Sequence, residues 1–104
     1  MAWMMLIFAG LLEVGWAFTM KLSHGFTNPA YSIITIVGVI ASFVLLSFSM
    51  KTLPLGTAYI IWTGIGAIGA FVVGIFVLGE SVTALRLLAA ILIISGLILM
   101  KLSS

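Results

Sequence analysis

Residues 52–79 read TLPLGTAYIIWTGIGAIGAFVVGIFVLG, a run without one Asp, Glu, Lys or Arg. It is longer than the about 20 apolar residues that carry an α-helix across a bilayer. Before it, residues 22–50 are also free of full charges, His24 aside. The whole chain of 104 residues holds six charges: Glu13, Lys21, Lys51, Glu80, Arg86 and Lys101. That is 6% of the residues, whereas a soluble domain carries roughly 25%. Four membrane helices would use roughly 80 residues and leave little beyond short turns. The reading is an all-α membrane protein, one four-helix transmembrane domain spanning 1–104, with no room for a nucleotide-binding module. Cys is absent, which excludes a disulfide framework and thiolate metal sites. A scattered net charge of +2 gives no basic patch for nucleic acid. No metal or other cofactor is expected.

Working outward, the spans are expected at about 2–20, 30–50, 57–78 and 82–100. The first is not preceded by a basic residue and is interrupted by Glu13, so it reads as a retained helix rather than a cleaved signal. His24-Gly25-Phe26-Thr27-Asn28-Pro29 and Lys51-Thr52-Leu53-Pro54-Leu55-Gly56 are the first two turns, marked by Gly, Asn and Pro. Gly79-Glu80-Ser81 closes the third span. Arg86 lies one turn into the fourth, within snorkelling reach of the interface.

Small residues fall in register in the last two spans. Gly66, Ala70 and Gly74 recur every fourth position, a stripe that lets helices approach closely. Gly64 and Gly66 also provide a place where the third helix can kink between two states. In the fourth span Ala89 and Gly96 lie seven apart on one face, which suits a helix–helix contact in assembly. The Lys and Arg residues divide evenly between the two membrane sides, Lys51 and Lys101 against Lys21 and Arg86. The positive-inside rule therefore selects no orientation. Either a small sample has lost the signal, or the chain inserts both ways and opposed copies pair.

Glu13 is the exception to this economy of charge. An ionisable residue near mid-span costs about 2.5–3.5 kcal/mol on insertion scales, so it needs a partner or a watery cavity. No Lys or Arg is embedded at its depth. Leu6, Gly10, Trp16, Ala17 and Met20 share its helical face. The second span carries a stripe of Tyr31, Thr35, Gly38, Ser42, Leu45 and Ser49, and in the third Tyr59, Trp62, Thr63 and Gly66 share a face. Trp3 and Tyr31, near span ends, read as interfacial anchors. A carboxylate with aromatic walls and hydroxyl donors suits a small organic cation. A rival account has Glu13 only hydrogen bonding to a neighbouring helix in a structural assembly subunit. An enzyme is disfavoured, because no nucleophile–base pair is evident and His24 sits in a loop.

Gly10-Leu11-Leu12-Glu13-Val14-Gly15-Trp16-Ala17, Lys51-Thr52-Leu53-Pro54-Leu55-Gly56, GTAYIIWTGIG at 56–66 and Leu78-Gly79-Glu80-Ser81 with Arg86 together carry a resemblance. The chain resembles the small multidrug resistance transporters, most closely their guanidinium-exporter subtype. Trp16, Lys21, His24-Gly25-Phe26 and Ser42 are the residues that look like that subtype. The resemblance implies an antiparallel, dual-topology homodimer in the bacterial inner (plasma) membrane, with Glu13 of both subunits in one shared site. It implies that Trp16, Ser42, Tyr59 and Trp62 line that site and that Ala89 and Gly96 belong to the dimer contact. The function it implies is proton-coupled antiport, with protons and guanidinium competing for Glu13. An exporter of quaternary-ammonium or polyaromatic cations on the same scaffold is the alternative.

Overall fold

The computed structural model describes residues 1–103 and contains four helices: α1 (Ala2–Leu22), α2 (Pro29–Ser49), α3 (Leu55–Phe76) and α4 (Ala84–Leu102). Each is long and apolar enough to cross a membrane. Local capping explains where their ends differ from the spans expected above. α1 runs two residues past Met20 before Ser23 turns the chain; there Ser23 Oγ donates to the Met20 carbonyl at 2.6 Å and accepts from Phe26 N–H at 3.1 Å. α2 starts at a Pro, whose missing N–H costs nothing in a first turn, and Asn28 Oδ1 accepts from the N–H groups of Ala30 and Tyr31. α3 begins two residues early, directly after Pro54, and ends two early at Phe76. There Gly79, at φ +72°, folds the chain back so that Glu80 N–H reaches the Gly74 carbonyl at 2.9 Å. α4 begins at Ala84 because Thr83 Oγ1 caps it, accepting from Arg86 N–H at 3.1 Å.

Short connections make successive helices alternate in direction. α1 is central, lying along both α2 and α3, while α4 lies along α3. The Cα positions span 40 × 35 × 16 Å, a slab less than two helix diameters thick. Its core is correspondingly small: Leu6 and Ala9 of α1, Leu46 of α2, and Ala58, Ile61 and Trp62 of α3. It unites the first half of α1 with the last half of α2 and the first half of α3. Most other large apolar side chains, such as Ile33, Val37, Ile40, Leu92 and Leu99, stay uncovered, as the bilayer's hydrocarbon allows and water would not. At the edge, Lys101 Nζ of α4 stands 4.3 Å over the Trp3 ring of α1.

Candidate functional site

Two polar groupings lie on α1 one turn apart. The first is a seam joining three helices. Trp62 Nε1–H of α3 donates to Ser42 Oγ of α2 at 3.0 Å, and Ser42 Oγ–H donates to the Ala9 carbonyl of α1 at 2.7 Å. Ser42 and Trp62 are buried and the seam adjoins the core. Within a helix the Ala9 carbonyl also faces the N–H of Glu13, four residues on. Ser42 therefore touches the backbone turn from which Glu13 projects.

The second grouping is Glu13 with Trp16. Glu13 Oε1 and Trp16 Nε1 are both buried, and neither has a hydrogen-bond partner among the described residues. They do not satisfy each other, although the indole N–H is a donor and the carboxylate oxygen an acceptor. The carboxyl group lies against α3 at Gly66, where an added Cβ would collide with it. The Trp16 stem lies on α2 at Gly38, where an added Cβ would stand 2.9 Å from Trp16 Cβ. Both glycines are recesses that admit a larger neighbour from α1.

Aromatic residues extend the site along α3. The Tyr59 and Trp62 rings are 5.6 Å apart and tilted by 46°, and Phe43 meets Trp62 edge-on at 5.5 Å. Tyr59 is exposed, at the mouth of an apolar opening between α2 and α3 lined also by Leu46, Met50 and Leu55. The helical faces named from the sequence thus bring Glu13, Trp16, Ser42 and Trp62 into one region, with Tyr59 on its rim. The donor of Ser42, however, is directed to the Ala9 carbonyl and that of Trp62 to Ser42, rather than to the carboxylate.

Of the remaining expected positions, Gly66 belongs to this region and Gly64, Ala89 and Gly96 do not. α3 is a continuous helix through Gly64 and Gly66; Gly64 accommodates Leu97 of α4, and Gly66 accommodates Glu13. Ala89 and Gly96 are exposed on α4, and nothing lies within 4 Å of a Cβ added at Gly96. Residues not foreseen are Ala9, which enters through its carbonyl, and Thr19. A backbone carbonyl leaves no trace in residue type. Thr19 had a weak signal, a hydroxyl one turn beyond Trp16 in an apolar helix. Among the described residues no group of three or more His, Cys, Asp or Glu is placed to hold a metal.

The chain thus combines four helices long and apolar enough to cross a membrane with a single acidic side chain within them, Glu13, set against Gly66. A profile described as Small Multidrug Resistance protein matches residues 1–102. The chain belongs to the small multidrug resistance family. It is 55% identical over 104 residues to a protein of Citrobacter freundii named guanidinium exporter, covering 100% of this chain and 99% of that one. Proteins of the same name from Salmonella typhimurium strain LT2 and Yersinia pseudotuberculosis are 56% and 54% identical over 104 residues. Of the first, 99% is covered and of the second 100%, with all of this chain matched in both. With such relatives the chain is a multi-pass membrane transporter and not an enzyme.

Proposed function

We propose that this protein is a proton-coupled antiporter that exports guanidinium and small guanidinyl cations across the bacterial inner membrane. The observation that carries the reading is the Glu13 carboxylate, set against Gly66 with a buried oxygen that has no hydrogen-bond partner among the described residues. Relatives more than half identical over their whole length, named guanidinium exporters, support it.

Guanidinium is planar, stays charged at any physiological pH and offers parallel N–H pairs, as the arginine head group does. A carboxylate accepts two of them side by side. Trp16 beside the acid, with Trp62 and Tyr59 beyond, offers π faces that attract a cation. A proton bound to Glu13 removes the charge that holds the cation, so the two ligands exclude each other. Pairing of two oppositely oriented chains would cover the exposed Ala89 and Gly96 face of α4 and place two Glu13 side chains in a common site. When the two subunits exchange conformations, with α3 bending at Gly64 and Gly66, the site opens to the other side. Exchange is coupled when the empty, unprotonated dimer rarely switches.

Transport currents from purified protein in liposomes test this. Guanidinium is expected to give a current under a proton gradient, and Glu13→Gln is expected to abolish it. A Glu13→Gln variant that retains wild-type currents overturns the mechanism. The apolar opening beside Trp62 favours a second reading, in which a quaternary ammonium ion rests its alkyl arms there. A bulky quaternary cation should fail to compete with guanidinium if the first reading holds and should compete if the second does. A pure assembly subunit would carry neither ion.

A further inference from the structure

We propose that Thr19 and Thr35 form a hydroxyl bridge between α1 and α2 that positions Trp16 and thereby sets the affinity of the Glu13 site. The inference rests on the site reading given above and deepens it. Thr19 Oγ1 and Thr35 Oγ1 are 2.7 Å apart, and Thr35 is fully buried. Thr35 Oγ1 is also 2.7 Å from the Tyr31 carbonyl, and Thr19 Oγ1 is 3.1 Å from the carbonyl of Trp16 itself.

Two hydroxyl protons serve these three contacts; sending both to the backbone carbonyls would leave the two oxygens facing each other at 2.7 Å with no proton between them, so two proton orders remain. In one, Thr35 donates to Tyr31 and Thr19 donates to Thr35. In the other, Thr35 donates to Thr19, which donates to the Trp16 carbonyl. Both orders keep one hydrogen bond between the helices, and the second ties α2 directly to the peptide group of Trp16.

Position makes this bond more than a packing detail. Thr35 is one helical turn from Gly38, on which the Trp16 stem rests. Thr19 is one turn from Trp16, which is itself one turn from Glu13. The glycine allows α1 to come close to α2 but does not direct it. A hydrogen bond has a preferred length and angle, so the threonine pair supplies the direction. Among the described residues the Trp16 indole N–H has no partner of its own to orient it. Its placement is therefore inherited from the backbone, which the bridge anchors. Apolar contacts cannot replace that constraint, because helices in hydrocarbon have no hydrophobic drive to close on one another.

Thr35→Val keeps the shape of the side chain and deletes its donor and acceptor. The half-saturating guanidinium concentration is expected to rise about three- to tenfold, the range a single hydrogen bond supports, with the maximal rate unchanged. Thr35→Ser, which retains the hydroxyl, should restore it. Thr19→Val should match Thr35→Val, and the double variant should be no worse than either, since both delete the same bond. The three indole N–H resonances in a ¹⁵N–¹H spectrum provide a readout that needs no substrate. The Trp16 signal, assigned through Trp16→Phe, should move in Thr35→Val and return in Thr35→Ser, while that of Trp3 stays still. An unmoved Trp16 signal or an unchanged half-saturation in both valine variants overturns the proposal, as does a fall in maximal rate alone. If Thr35→Val does not fold, Thr19→Val decides the matter by the same criteria. A wild-type protein that moves no guanidinium defeats the functional reading, while the indole spectrum still tests the bridge.

Discussion

The Ser42 seam and the Glu13–Trp16 pair sit one turn apart on α1, are both buried and polar, and are treated in opposite ways. In the seam every proton has a destination: Trp62 donates to Ser42 and Ser42 to Ala9. In the pair, an acceptor and a donor are buried without partners among the described residues. An unmet buried polar group costs about 1–3 kcal/mol, so a fold selected for stability alone would remove the second grouping. The lesson is that satisfaction, rather than polarity or burial, separates the group that holds the helices from the group that the proposed transport cycle needs free for a ligand.

Exchanging the acid for its neutral isostere tests the difference most severely. Glu13→Gln should abolish proton-coupled guanidinium currents while leaving the thermal midpoint in detergent unchanged or raised, because no intramolecular bond of the carboxylate is lost. A marked drop in the midpoint would show that Glu13 holds the fold together after all. The next largest effect is expected at its recess. Gly66→Val puts a branched side chain where the carboxyl group lies, and a displacement of about 1 Å can cost on the order of a hundredfold in rate. Transport measured at saturating guanidinium should fall by about that factor, with the protein still eluting as a single species.

Much of the contrast was legible before any coordinates, but not its decisive part. The spans followed from hydropathy, and Glu13 stood out because no other acid interrupts an apolar run. Helical periodicity also set Trp16, Ser42 and Trp62 on inward faces. Periodicity assigns a face and not a partner. It could not show that Ser42 donates to the Ala9 carbonyl and Trp62 to Ser42, since a backbone carbonyl is the same at every residue. Gly66 was legible as a small residue, but its role as the recess for Glu13 depends on the register between α1 and α3. The helix ends missed by two residues were decided by caps such as Thr83 and Pro54, which act locally and outweigh mean hydropathy.

The seam gives a smaller effect of a different kind. Ser42→Ala removes the acceptor of Trp62 Nε1–H and leaves that donor buried, so stability in mild denaturant should fall by about 1–3 kcal/mol. The double variant Ser42→Ala/Trp62→Phe deletes both partners and should recover part of the loss relative to the additive sum. Strict additivity in that cycle would mean that the seam bond contributes nothing, and the comparison with Glu13 would lose its structural half.

The smallest effect is expected where polar groups are paired but not buried. Arg86 reaches Glu80 with Nη2 3.7 Å from Oε1, donates Nη1–H to the Ser81 carbonyl at 2.8 Å and lies 5.3 Å from the Phe71 ring centre. The pair joins the turn after α3 to the first turn of α4, so by connectivity alone it resembles the Ser42 seam. Both side chains are about two-fifths exposed, and at such sites solvent screening reduces an ion pair to about 0–1 kcal/mol. Arg86→Gln should therefore shift the unfolding midpoint far less than Ser42→Ala, with what shift there is diminishing as salt is raised. A loss matching that of Ser42→Ala, and insensitive to salt, would show that connection between elements matters more than burial. Polar links between elements at two depths thus separate the two causes, and burial is the one expected to decide.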